Sequence, residues 1–113
     1  MAVALLLCAV FGLVQAATPR PTKLTAEVGP GFTITLKKGN NRVVSLKKGP
    51  YEIRVHDRAS IHNYHLVGPG GLNRSTSVTS VVTTTWKVTL KPGTYTYRCD
   101  PHTNMKASFR VTS

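Results

Sequence analysis

With 113 residues, 15 of them Lys or Arg against 4 Asp or Glu, the chain is short and carries a formal net charge of +11. Its apolar opening, Met1 to Ala16, ends in Val14-Gln15-Ala16 and reads as a secretory signal, because it is shorter than the roughly 20 residues a membrane-crossing helix needs. About 97 residues remain, enough for one core and not for two.

The whole net charge then falls on that remaining domain, which favours acidic partners or anionic membranes. The basic residues are scattered through turns such as Lys37-Lys38-Gly39 and Lys47-Lys48-Gly49, without the aromatic interleaving of a single-strand binder or a reading helix, so nucleic acid is not expected as a partner. Of the two cysteines, Cys8 lies in the signal and Cys99 stands alone. In an oxidising compartment a single thiol cannot form an internal disulfide, so Cys99 is either buried and inert or engaged as a ligand or nucleophile.

Residues 17–30 read as an N-terminal extension and first strand, and 31–113 as the main domain. Short runs of alternating apolar and polar residues follow one another along the chain, the signature of half-buried strands. Phe32, Ile34 and Leu36 share one parity; Tyr51, Ile53 and Val55 form the next set, then Trp86, Val88 and Leu90, then Tyr95, Tyr97 and Cys99, and last Phe109 and Val111. Gly29-Pro30-Gly31, Gly39-Asn40-Asn41, Gly49-Pro50, Gly68-Pro69-Gly70-Gly71 and Lys91-Pro92-Gly93 punctuate them as turns. The pattern predicts an all-β Greek-key sandwich of seven to eight strands in two antiparallel sheets. Leu46-Lys-Lys-Gly-Pro-Tyr51 and Leu90-Lys-Pro-Gly-Thr-Tyr95 echo one another and read as equivalent hairpin corners.

Chemistry concentrates in Tyr97-Arg98-Cys99-Asp100-Pro101-His102-Thr103-Asn104-Met105, where a thiolate, an imidazole and a thioether fall within one loop at a strand end. Thiolate and thioether favour Cu(I), imidazole accommodates Cu(II), and a trigonal His2Cys set with a distant methionine suits both oxidation states. A second imidazole must come from Ile61-His62-Asn63-Tyr64-His65-Leu66. On a strand His62 shares a face with Tyr64 and Leu66, which marks its side as buried; His65 is the rival ligand, and His56 reads as a surface residue.

Here the chain resembles the plastocyanin, azurin and amicyanin group of cupredoxins, over Phe32 to Val111, on His62-Asn63 upstream and on Cys99-x2-His102-x2-Met105, a spacing similar to the short amicyanin loop. The resemblance implies one type 1 copper ion with His62 and Cys99 as buried ligands, His102 as the ligand nearest the surface, and Met105 as the weak axial one. It also implies that Asn63 ties the two ligand-bearing segments together, and that electrons pass at His102 through an apolar rim, for which Pro69, Leu72 and Pro101 are the candidates. Ala107 stands where the family usually has glycine. The expected protein is an exported, periplasmic or extracellular one-electron carrier, monomeric, without a membrane span after signal removal, serving an acidic redox protein. Copper storage or delivery and a metal-free binding sandwich are the alternatives. An enzyme is not expected: Asp57, Ser60 and His62 lack a nucleophile turn, and four histidines are too few for a second copper cluster.

Overall fold

Alternating buried and exposed side chains mark every long strand of the computed structural model, which describes residues 20–113. The signal expected at Met1–Ala16 lies outside the described residues. Ten strands follow in order: β1 (Thr22–Val28), β2 (Ile34–Lys38), β3 (Asn41–Arg42), β4 (Ser45–Lys47), β5 (Gly49–Asp57), β6 (His65–Gly68), β7 (Leu72–Ser75), β8 (Val82–Leu90), β9 (Gly93–Cys99) and β10 (His102–Thr112), with one 3-10 turn at Pro69–Gly71. The count exceeds the expected seven to eight because β3, β4 and β7 are short and largely polar, so no apolar alternation announces them.

The strands form two sheets, ordered β3-β2-β1-β5-β8 and β4-β10-β9-β6-β7. Each contains one parallel pair, β1 with β5 and β4 with β10, so the expectation of purely antiparallel sheets is corrected. The reason is connectivity: β1 and β4 lie beside strands reached only after the chain has crossed to the other sheet and back, and a strand's own alternation carries no sign of its neighbour's direction.

Two of the crossings are the echoed segments. Tyr51 Oη donates to the Lys47 carbonyl at 2.6 Å, and Tyr95 Oη accepts from the Lys91 amide at 2.8 Å, each four residues upstream. Gly49 and Gly93 take matching φ angles of 143° and 141°, a region that side chains other than glycine rarely adopt. The two are equivalent, but as corners between sheets and not as hairpins: the first leads from β4 to β5, the second from β8 to β9.

Between the sheets lies a core of Leu24, Ala26, Leu36, Ile53, Val55, Leu66, Leu90 and Val111, together with an aromatic file. Tyr64 stacks on Tyr97 at 5.5 Å and Tyr95 on Phe109 at 5.3 Å, and Trp86 meets Tyr64 at 6.2 Å. The stacked pairs bridge β9 to its two neighbours, fixing the strands whose ends hold Cys99 and His102. Phe32 departs from the expected inward parity: β2 begins only at Ile34, and Phe32 is 65 % exposed.

Candidate metal centre

At one pole of the sandwich the Arg58–Tyr64 connection meets the two-residue turn Asp100-Pro101 between β9 and β10. Cys99 is the last residue of β9, fully buried, and His102, half-buried, is its cross-strand partner. From Lys106 onward β10 pairs with β9 in regular register, Lys106 opposite Arg98 and Ala107 opposite Tyr97. Met105, buried, lies in the irregular stretch between the His102–Cys99 pair and the regular register that resumes at Lys106. Ala107 in place of glycine does not interrupt the ladder.

His62 reaches this point from a loop, since β6 starts only at His65. It is fully buried, with Nδ1 3.0 Å from His102 Nδ1 and 3.6 Å from Cys99 Sγ; His102 Nδ1 lies 3.5 Å from the same sulfur. The centre of a circle through the corners of such a triangle is about 2.0 Å from each donor, close to the metal–imidazole bond length of about 2.0–2.1 Å. Two imidazole lone pairs and a thiol converging in a buried place need a shared proton or a cation, and the soft and borderline donor set fits copper. Burial leaves His62 Nε2 without a hydrogen-bond partner, a cost that a bond at Nδ1 would offset.

Three supports hold the constellation. Asn63, buried, accepts the Asp100 amide at Oδ1 and donates from Nδ2 to Asp100 Oδ2, both at 2.8 Å, which ties the two donor-bearing segments directly. Asp57, buried at the end of β5, accepts from the Ala59 amide at 3.3 Å and from Thr76 Oγ1 at 2.7 Å, while Thr76 Oγ1 accepts the Tyr64 amide at 2.9 Å. Its carboxylate is thus committed to pinning both ends of the His62 loop. Gly29 supplies the third support: a Cβ there would lie 2.9 Å from Ala59 Cβ and 3.3 Å from His62 Cδ2, at a φ of +73°.

His65 joins neither the thiol nor the other imidazoles. Its Nδ1 lies 2.9 Å and 3.0 Å from the two Asp100 oxygens and its Nε2 2.6 Å from Asn73 Oδ1, on the outer face. Burial pushes the Asp100 carboxyl up, but hydrogen bonds from Asn63, His65 and Arg98 and the charge of His65 outweigh it and hold the group at about 2. Burial also pushes the Tyr64 hydroxyl well above the usual tyrosine range, with Tyr97 adding to it. His56 sits near the end of β5, with Nδ1 3.2 Å from Thr83 Oγ1 on the neighbouring strand.

Of the residues expected at the rim, only Pro101 is beside the donors, in the turn before His102. Pro69 packs against Gly93, and Leu72 pairs with Gly68 alongside Tyr95, so they lie about 20 Å and about 13 Å of strand from Cys99 at about 3.3 Å per residue. The turn containing Pro69 closes the far end of the β6–β7 hairpin, which turn residues alone do not reveal. The exposed ring of Phe32 stands in their place. It meets His62 and His102 edge-on, with centroids 5.1 Å from each and interplanar angles of 77° and 86°. A large aromatic in the turn Gly29-Pro30-Gly31-Phe32, where polar residues are usual, was the one sequence sign of it.

The fold and these donors define a β-sandwich with a His2Cys centre at one pole. Among solved structures, a reduced rusticyanin matches with TM-score 0.58 and 17% identity over 84% of this chain and 81% of its own. A second rusticyanin matches with TM-score 0.60 and 16% identity, covering 84% of this chain and 80% of that one, and an amicyanin variant in its Cu(I) form with 0.54 and 17%, covering 80% and 83%. The chain has the cupredoxin fold. No protein-family model and no curated protein matches the sequence.

Proposed function

We propose that the protein is a type 1 copper protein that carries single electrons, and that His62, Cys99, His102 and Met105 are the residues that would hold the ion. The convergence of two Nδ1 atoms and one Sγ within 3.0–3.6 Å carries this reading. Bound copper would supply the Cu(I)/Cu(II) couple, which a His2Cys set with a long methionine accommodates in both states. The chain's own part is to hold the donors still and dry. The Asn63–Asp100 clasp, the Asp57–Thr76 pin and the Gly29 contact fix the ligand loop, so little has to move when the charge changes.

His102 is the one trigonal donor that is only half-buried, which makes its edge, between Phe32 and Pro101, the place where an electron enters and leaves. An apolar rim of this kind can desolvate against a partner protein, and the net charge of +11 draws acidic proteins from a distance. The apolar opening sequence supports export to the periplasm or exterior, and no substrate position is left open at a centre with all donors engaged, which supports a carrier over an enzyme.

The test is to add Cu(II) to the purified protein and record visible and electron-spin resonance spectra beside a Cys99→Ser control. An intense blue band with narrow copper hyperfine splitting, lost in the control, is expected. A colourless protein, or copper held equally by the control, would overturn the proposal.

A further inference from the structure

The basic residues are not spread evenly. Lys38 ends β2 and lines a cleft together with Lys47, the last residue of β4; Lys48 follows in the turn to β5, and Lys91 sits in the corner from β8 to β9; all are exposed. The β4–β5 turn lies against the end of β10, where the Lys48 amide donates to the Thr112 carbonyl at 2.8 Å. Ten residues of β10, about 30 Å at about 3.3 Å each, separate that end from His102. Three of the four acidic groups have the opposite distribution. Glu27, Asp57 and Asp100 lie towards the metal pole, and Glu52 is flanked across its strand by Lys23 and Lys87. The ion pairs among the described residues, Arg58 with Glu27 and His65 and Arg98 with Asp100, all belong to the metal half. The four distal lysines have none, and like charges held together without counter-ions oppose the compact state.

We propose that this distal pole seats on an anionic phospholipid surface, leaving the metal pole turned outward. Lysine is a compact point charge without the planar fork that arginine offers to a fixed stereochemical partner, and it suits a diffuse layer of headgroups. None of these turns exposes an aromatic ring that could anchor a protein interface or stack a base. A cleft of about 500 Å³ opens here, lined by Lys38 and Lys47 with Thr22, Ser45 and Thr112, with room for a headgroup phosphate beside the two lysines. Val44, 72 % exposed just before β4, adds an apolar contact on the same half. The proposal concerns residues remote from the metal centre and stands whether or not copper is bound.

The experiment is co-sedimentation of the purified protein with phosphatidylcholine vesicles, with and without phosphatidylglycerol. Binding is expected only to the anionic vesicles and is released by about 0.5 M salt. Lys38→Glu/Lys47→Glu/Lys48→Glu should weaken it at least about tenfold, whereas the equal reversal Arg58→Glu/Arg74→Glu/Lys106→Glu, away from the pole, weakens it less. Should either set fail to fold, Lys47→Glu/Lys48→Glu, confined to one exposed turn, reports the same dependence. No binding to anionic vesicles, equal binding to neutral ones, or indifference to the lysine reversals would overturn the proposal. So would binding of inorganic polyphosphate without binding of vesicles, which would hand the pole to a soluble polyanion.

Discussion

Gly29 and Phe32 sit in the same turn and act on the metal centre in opposite ways, one by having no side chain and the other by presenting a large one. Gly29→Ala places a methyl 2.9 Å from Ala59 and 3.3 Å from His62 at a positive φ. It should cost about 1–3 kcal/mol in urea unfolding and weaken copper binding as well, because the ligand ring must shift. Phe32→Ala removes an exposed ring, so the unfolding midpoint should hardly move, by about 0.5 kcal/mol or less. Chelator-driven loss of copper should nevertheless speed up about tenfold, since the ring shields both imidazoles from water. Unchanged copper loss would mean the ring is only a neighbour. The donors were legible as residue types at a spacing, and His62 could be preferred over His65 from the company of Tyr64 and Leu66. Asp100 as the hub joining Asn63, His65 and Arg98 was not legible, because Asn63 and His65 lie 37 and 35 residues away from it in the chain.

The two tyrosine corners show what an element-level pattern can and cannot reveal. Their shared spacing of leucine, lysine, glycine and tyrosine was visible as an echo, yet a turn signal does not say whether the next strand continues the same sheet. Tyr51→Phe removes the bond to the Lys47 carbonyl and should lower stability by about 1 kcal/mol, or about 4–8 °C in melting temperature for a domain of this size. Burial raises the Tyr51 hydroxyl above its usual value of 10.0, so the folded protein keeps a proton that the unfolded chain gives up. Its contribution is fully present below about pH 10 and is lost as pH rises towards the folded value. The phenylalanine variant should therefore show a shallower alkaline decline in stability, read from denaturant midpoints between neutral pH and about pH 11.

At the scale of the whole molecule, the distal lysines and the proposed copper centre lie at opposite ends of the sandwich. A carrier with net charge +11 should meet an acidic redox protein at a rate that falls steeply as ionic strength rises, measured by stopped-flow at low and at about 0.5 M salt. Because the distal lysines are far from His102, reversing them should reduce that rate through the long-range field while leaving the salt-independent limit at high ionic strength nearly unchanged. A high-salt rate that also collapses would place those lysines in the docking contact itself.

By itself the sequence determined the all-β class and singled out His62, Cys99 and His102, which the fold brings together, since period-two alternation, turn residues and ligand chemistry are local properties of the chain. Only the tertiary structure decided the parallel pairings, the corners between sheets, the removal of Pro69 and Leu72 from the metal pole, the placing of Phe32 over the histidines and the gathering of lysines at the far end. Each of these depends on which distant segments become neighbours, and that is settled by packing two sheets face to face, not by the residues adjacent in the chain.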